Sequence, residues 1–289
     1  MSSSTFSASR ALDPPNPVGL LRALSRHQLF AGLFLLGFVS AVTDRVITSI
    51  LSRGFAESVS LTFDVSAIVW GSCYFALSLA GESQPQKVGP RDWIAAAIAA
   101  TAFLFPATLV NWVALTCFSG YVAFVTERRS PLQRSAWIVL AVTFTMFWSP
   151  RIFSVLSEWI LAGDAELVSW ITGTGRVGNT VQLRDGSGYL WIAPTCSSMA
   201  NISLAVLCWT AFAQLSARAA SKGDVAICIV TCMCVIAINV TRIGLIGYYP
   251  AWYEALHGPM GTVIFGYLTL VTIVGICLLW KRRELLSTR

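Results

Sequence analysis

The chain has 289 residues, of which 55% are hydrophobic and 12% are charged, and its mean hydropathy is +0.68. This composition excludes an ordinary water-soluble domain and predicts a protein that crosses a membrane many times. The formal net charge is +6. Because the basic residues are spread over separate loops without interleaved aromatic side chains, we expect no nucleic-acid partner.

Apolar runs predict about eight transmembrane helices. Each run is compared with the length needed to cross about 30 Å of hydrocarbon at 1.5 Å per helical residue. The runs lie near residues 29–51, 65–82, 92–105, 107–126, 135–156, 198–217, 224–247 and 261–280. The third run is short and ends before Pro106, so it also fits a re-entrant pair with the fourth. We expect an all-α polytopic membrane protein, with a cytoplasmic tail at residues 1–28, no removable signal peptide and one membrane-embedded domain at residues 29–289.

Basic residues orient the predicted helices, because cytoplasmic loops of membrane proteins collect Lys and Arg. With eight helices, most of the 20 basic residues fall in loops on one side, which predicts that both termini are cytoplasmic. The opposite side receives the remaining arginines, Arg45, Arg53, Arg151, Arg176, Arg184 and Arg242.

The largest predicted extramembrane segment, residues 157–195, lies on the side opposite the basic loops. Its first part, SEWILAGDAELVSWITG, places acidic residues between apolar pairs and predicts one or two amphipathic helices on the membrane surface. Its second part predicts a small β-hairpin of two strands, Thr180–Leu183 and Tyr189–Ile192, joined by Arg-Asp-Gly-Ser-Gly. The hairpin leads directly to Cys196.

Cys196 is the only one of the eight cysteines at the outer end of a predicted helix. The others fall within apolar runs, so Cys196 has no intrachain disulfide partner on its side. Thr195 suits an N-cap, which would place Cys196 in the first helical turn, where the helix dipole favours a thiolate. A packing role at the start of the helix fits the local sequence equally well.

Arg242 and His257 are expected on the same side of the membrane as Cys196. Arg242 lies in the seventh predicted helix, where an unpartnered guanidinium costs about 2.5 to 3.5 kcal/mol, so it needs a partner or a wet cavity. The alternative is that it reaches the membrane interface beside Tyr248 and Tyr249. His257 lies in the loop before the last helix, where a merely solvated histidine is also common.

Four motifs follow one another in the second half of the chain. They are G-N-x-hydrophobic-x-L at Gly178–Leu183, the pair Cys196–Ser197 opening a helix, N-x-x-R-I at Asn239–Ile243, and His257 before the last helix. In this order they resemble the exosortase/archaeosortase family over residues 174–270. The resemblance implies a membrane-embedded cysteine transpeptidase or protease of a prokaryotic cytoplasmic membrane, with its active site on the outer, periplasmic face.

The resemblance also implies substrates and site residues. The substrates are membrane-anchored proteins that end in a short recognition motif, a transmembrane helix and a basic tail. The family's proposed catalytic set carries over to Cys196, Arg242 and His257. Three further residues are expected to support the site or bind the substrate, namely Asn239, Ser197 and Asn179. No cofactor or metal ion is expected, and the bilayer is the other partner.

The chemistry expected of these residues is acyl transfer. The Cys196 thiolate attacks the scissile carbonyl and forms a thioester, which an amine, a lipid-linked acceptor or water then resolves. His257 protonates the leaving amine. Arg242 stabilises the oxyanion or the thiolate, in competition with the backbone amides of Cys196 and Ser197. This chain departs from the family in having Ser198 where many members have Gly. We also expect a member with the core domain alone, without a soluble domain after the last helix.

A different class of protein also fits the sequence. It is a multispan transporter or an assembly scaffold, in which Arg242 binds an anion and Cys196 has no chemical role. The chain has no internal repeat and no matched pair of broken helices, which counts against this class. A membrane acyltransferase or intramembrane protease of another family is a further alternative, although the chain has no G-x-S-x-G or H-E-x-x-H motif.

Overall fold

The computed structural model of the protein describes residues 24–216, 219 and 221–287, with side chains described to residue 282. Most of the predicted N-terminal tail lies outside the described residues, as do Arg10, Arg22, Arg218 and Arg289.

The described chain is mainly helical, with one small sheet. In chain order the helices are α1 (Arg26–Arg53), α2 (Phe55–Ser60), α3 (Ala67–Gly81), α4 (Pro90–Phe103), α5 (Thr108–Val125), α6 (Pro131–Thr143), α7 (Ser149–Thr172), α8 (Met199–Leu215), α9 (Lys222–Tyr248), α10 (Tyr253–His257) and α11 (Pro259–Ser287). Between α7 and α8 lie β1 (Arg176–Val177), β2 (Thr180–Gln182) and β3 (Tyr189–Trp191). They form an antiparallel sheet in the order β1-β2-β3, with Val181 opposite Leu190.

Local sequence sets several helix ends. Ser130 caps α6 by accepting a hydrogen bond from the Gln133 amide, and Pro131 occupies the first position, where its missing N–H costs nothing. α7 stops at Gly173, which adopts the left-handed conformation with a φ of 67°. The chain can therefore reverse into the sheet directly after the helix.

Six helical segments in the described part are long and apolar enough to cross a membrane, which makes the chain an α-helical multi-pass membrane protein. The predicted second and third spans are shorter helices, α3 with 15 residues and α4 with 14 residues. At 1.5 Å per residue each is about 22 Å long, less than the hydrocarbon thickness. The predicted third and fourth spans are two separate helices, α4 and α5, with residues 104–107 between them.

Helices α6 and α7 are continuous through a π-helical turn at Phe144–Trp148. The combined segment Pro131–Thr172 has 42 residues and is about 63 Å long, about twice the hydrocarbon thickness. The predicted division into a span at residues 135–156 and a separate surface helix is therefore wrong, because the chain continues in the same helix. Asp164, predicted on a polar face, is 5% exposed and points into the protein.

The basic loops and the predicted catalytic cysteine lie at opposite ends of the helices. Near the start of α1, Arg26 forms an ion pair of 3.0 Å with Asp92 of α4. Arg134 of α6 donates to the carbonyl of Gln214, close to the end of α8. Gln214 lies near the end of α8, a helix of 17 residues and about 25 Å, and the turn that holds Cys196 lies just before its start.

Buried apolar side chains form two clusters. The larger, which we call the main core, joins α1, α3, α4, α5, α6, α8, α9 and α11, and includes Phe30, Leu115 and Ile138. The smaller, which we call the α7–α9 core, lies among α7, the sheet and α9. Its members are Leu161, Ala165, Val168, Val181, Ile192, Val240 and Ile243.

Helices α7 and α9 approach each other closely at two glycines. A Cβ atom on Gly244 would lie 2.8 Å from Cγ2 of Ile171, and one on Gly247 would lie 2.7 Å from Cγ2 of Thr172. Thr172 is buried, and its hydroxyl donates to the carbonyl of Ser169. Small residues let membrane helices pack at this distance, and the fixed position of Thr172 leaves no room at Gly247.

We expect Gly247→Ala to lower the free energy of unfolding by about 1–3 kcal/mol, because the added methyl group overpacks the contact with Thr172. Thermal unfolding of the purified protein in detergent measures the loss. Gly266→Ala in α11 is the control, since a Cβ atom there meets nothing within 4 Å. Equal unfolding midpoints for the two variants would show that the α7–α9 contact tolerates the extra volume.

Candidate active site

The sheet positions the turn that carries Cys196. The amide of Ile192 donates to the carbonyl of Asn179 at 2.9 Å, and the Asn179 side chain donates to the carbonyl of Ile192 at 3.1 Å. Asn179 thus fixes the backbone of Ile192, which directly follows β3 and lies four residues before Cys196. Through these hydrogen bonds Asn179 supports the turn.

Cys196 is the last residue of a 3-10 turn, Pro194–Cys196, and helix α8 begins only at Met199. The prediction of Thr195 as N-cap, with Cys196 in the first helical turn, is therefore wrong. The amide of Cys196 donates to Ala193 at 2.9 Å and that of Ser197 to Pro194 at 3.3 Å, so both are occupied within the turn. Neither amide is free as the predicted oxyanion donor.

The thiol of Cys196 faces the imidazole of His257. The distance from Sγ to Nε2 is 3.4 Å, within hydrogen-bonding range for sulfur. His257 ends the short helix α10, and its ring stacks on Tyr253 at 5.0 Å between centroids. The structure therefore brings together a thiol and an imidazole that are 61 residues apart in the chain.

Arg242 holds the segment that carries His257. Its Nε donates to the carbonyl of Leu256 at 2.9 Å, and one terminal nitrogen donates to the hydroxyl of Thr262 at 3.2 Å. The Thr262 hydroxyl in turn donates to the carbonyl of His257 at 3.3 Å. Among the described residues the other terminal nitrogen, Nη1, has no hydrogen-bond partner, so it is free to meet a bound group.

Tyr248 contacts a different arginine. The guanidinium of Arg184 lies 4.1 Å above the ring of Tyr248, and Tyr249 stacks on Trp252. Arg242 instead lies 5.6 Å from the ring of Phe265 in α11. Its polar contacts are therefore to the His257 segment, and the alternative in which it reaches the interface beside Tyr248 is not supported.

Asn239 fixes the backbone of the cysteine itself. Its side-chain amide donates to the carbonyl of Cys196 at 2.7 Å and to the hydroxyl of Ser198 at 3.1 Å. Asn239 and Arg242 lie one turn apart on α9, so a single helix holds both the cysteine turn and the histidine segment. Ser197, which is buried, accepts a hydrogen bond from the Met199 amide and orders the start of α8.

A buried carboxyl group that the sequence did not single out completes this network. Both oxygens of Asp164 accept hydrogen bonds from Ser198, from its amide at 3.1 Å and from its hydroxyl at 2.8 Å. The spacing of Leu161, Ala165 and Val168, all buried, could have placed Asp164 on the inner face of the helix. The serine that departs from the family pattern is thus the partner of Asp164.

Comparison with known proteins found no matching family model, no matching curated protein and no matching solved structure. Within the described residues no three His, Cys, Asp or Glu side chains lie together as ligands for a metal ion. The fold and the site therefore define the chain as a multi-pass membrane protein with a Cys196–His257 pair held by α7 and α9.

Proposed function

We propose that the protein is a membrane-embedded cysteine transpeptidase or protease of the exosortase/archaeosortase type. The observation that carries the proposal is the distance of 3.4 Å between Cys196 Sγ and His257 Nε2. A thiol and an imidazole at hydrogen-bonding distance are the pattern of an activated nucleophile. Arg242 donates to the Thr262 hydroxyl, which donates to the backbone carbonyl of His257, while the ring of His257 stacks on Tyr253.

In the proposed reaction His257 is both base and acid. Nε2 takes the proton of the Cys196 thiol as the sulfur attacks the scissile carbonyl. It then gives that proton to the leaving amine as the C–N bond breaks and the thioester remains. Transfer to an amine or to water restores the thiol. Because Cys196 precedes α8, the imidazole rather than a helix dipole activates the sulfur.

Arg242 has two proposed roles. Its contacts to Leu256 and Thr262 orient the histidine segment, while the unpartnered Nη1 is available to the oxyanion that forms on the attacked carbonyl. A charged donor in a site of low dielectric is worth several kcal/mol to such a transition state. Lysine cannot fill both roles, because it lacks the planar set of donors.

The substrates proposed for this site are exported proteins with a C-terminal sorting signal made of a short motif, a transmembrane helix and a basic tail. Such a helix would place the scissile bond at the end of the protein that holds Cys196, and its basic tail at the end that holds the basic loops. The proposed location is a prokaryotic cytoplasmic membrane, with the site on the outer face.

Trapping of the thioester tests the proposed function. The full-length protein, expressed in a bacterial membrane with candidate substrates that carry such tails, should yield an acyl adduct on Cys196. Mass spectrometry of the digested protein locates the adduct, and neutral hydroxylamine should release it. Adducts confined to other cysteines, or none at all, would reject the proposal.

The proposed orientation is tested with a membrane-impermeant maleimide on intact cells or spheroplasts. Cys196 should be modified, whereas a cysteine placed at Ser221, the exposed residue that caps α9 at the other end, should react only after the membrane is permeabilised. The reverse pattern would place the site on the cytoplasmic face, where the proposed substrates have no scissile bond.

A further inference from the structure

A pocket of about 250 Å³ opens at the end of the protein that carries the basic loops. It lies between the start of α1, the segment that joins α3 to α4, and the loop that joins α5 to α6. We call it the basic pocket. Its volume is below the range of about 300–1,000 Å³ that is usual for drug-sized ligands, so it suits a small polar group.

Two guanidinium groups of the basic pocket are free to meet an anion. Arg128 and Arg129 line it, and their side chains form no hydrogen bond or ion pair with the described residues. Arg26 also lines it, but Asp92 of α4 balances its charge at 3.0 Å. Glu127 is the one carboxylate among the described residues that line the pocket. A positive charge therefore remains.

The backbone adds to this positive potential. Ser130, Pro131 and Leu132 line the pocket at the start of α6, so the positive end of that helix's dipole faces it. Arg129 has a left-handed backbone, with a φ of 64°. Glycine takes this conformation more easily, so the loop carries its second arginine at a cost in backbone strain.

A buried hydroxyl group in the wall of the basic pocket lacks a partner. The Oγ atom of Ser83 is shielded from solvent and has no hydrogen-bond partner among the described residues. An unpaired buried hydroxyl is costly, and it can donate to a ligand or accept from one. Gln84 and Gln86, both exposed, line the same wall. The pocket thus offers cations for an anion and neutral polar groups for hydroxyls.

Exposed aromatic rings lie at the adjoining ends of α5 and α6. Phe124 is 82% exposed, and its ring meets that of Trp137 edge-on at 6.3 Å between centroids. Aromatic side chains near basic residues are typical of the membrane–water interface. The anions present at that depth are phospholipid headgroups, whose acyl chains would contact the exposed rings.

We propose that the basic pocket binds the headgroup of an anionic phospholipid of the phosphatidylglycerol type. Its phosphodiester accepts hydrogen bonds from Arg128 and Arg129, and the hydroxyls of its terminal glycerol pair with Ser83 and the two glutamines. A choline headgroup would instead bring a positive charge and no hydroxyl. This site does not depend on the proposed function, because its residues lie at the end of the helices opposite Cys196.

Native mass spectrometry of the purified full-length protein tests the proposal, because it counts bound lipids one at a time. Released from detergent in about 0.2 M ammonium acetate, where distant charges are screened, the protein is titrated with phosphatidylglycerol or with phosphatidylcholine of the same acyl chains. The first phosphatidylglycerol should bind at least about tenfold more tightly than the first phosphatidylcholine.

The double variant Arg128→Gln/Arg129→Gln should weaken phosphatidylglycerol binding by about tenfold or more and leave phosphatidylcholine binding unchanged. Ser83→Ala should weaken it by about threefold without lowering the unfolding midpoint of the lipid-free protein, since the deleted hydroxyl had no partner. Lys87→Gln/Arg91→Gln is the matched control. It removes two exposed cations at the same end of the protein that do not line the pocket, and should keep the preference.

Equal binding of the two lipids by the wild type would overturn the proposal. An equal loss of preference in the two double variants would also overturn it, because the basic loops would then attract anionic lipids only in a general way. Competition by glycerophosphoglycerol, the headgroup without acyl chains, at the concentrations at which the lipid binds would reject the lipid and assign the pocket to a soluble phosphodiester.

Discussion

Cys196→Ala is expected to lower processing of a substrate found by the trapping experiment by at least about a thousandfold, because the nucleophile and the acyl-enzyme are both lost. The half-buried side chain is small, and the carbonyl that Asn239 holds remains in place. Abundance and membrane insertion should therefore stay close to those of the wild type. Gel mobility of the substrate and immunoblotting of the enzyme measure the two quantities.

Cys117→Ala is the matched control, since this cysteine is exposed on α5 and lies outside the site. It should retain full processing. Equal processing by the Cys196 and Cys117 variants would refute the assignment of the nucleophile.

Asp164→Asn is expected to lower the free energy of unfolding by about 1.5–3 kcal/mol and processing by about tenfold or more. The two carboxylate oxygens of Asp164 each accept one hydrogen bond from Ser198. The side-chain amide of asparagine has only one acceptor oxygen, and its N–H groups would face one of the two Ser198 donors. The turn at Cys196 would then lose its support. Thermal unfolding and gel mobility of the substrate measure the two effects, and the pH dependence of Cys196 alkylation reports on the position of the thiol. Glu158→Gln, exposed on the same helix, is the control.

A double-mutant cycle with Ser198→Ala separates this contact from a general loss of packing. The coupling energy of Asp164 and Ser198 should be about 0.5–3 kcal/mol, since each residue acts through the other. Strictly additive effects, together with an unaltered alkylation profile in Asp164→Asn, would show that the carboxyl group does not position Cys196.

The helical, multi-pass character of the chain followed from its apolar runs, which are local properties of the sequence. The same patterns placed Cys196, Arg242 and His257 at one end of the helices, and the structure brings the thiol and the imidazole into contact. Asn239 and Arg242 lie one turn apart on α9, which is why both reach toward the site from that helix.

The missed features depend on contacts between distant segments. The acidic residues of this segment, Asp164 among them, suggested a helix face in contact with water. In the structure the carboxyl group of Asp164 is hydrogen-bonded to Ser198, which lies 34 residues further along the chain. The span predicted at residues 135–156 ends inside a helix that continues from the π-helical turn at Phe144–Trp148 to Thr172. Thr195 had the chemistry of a cap, yet the 3-10 turn delays the helix to Met199.

The α7–α9 core has far fewer buried side chains than the main core, to which α9 also contributes Val235. Asp164, Asn239 and Arg242 all lie on α7 and α9. A region with few buried side chains opens locally at a lower free energy than the whole molecule unfolds. We therefore expect heat or harsh detergent to inactivate the cysteine site through a local opening, while the helices of the main core still protect their amide hydrogens from exchange.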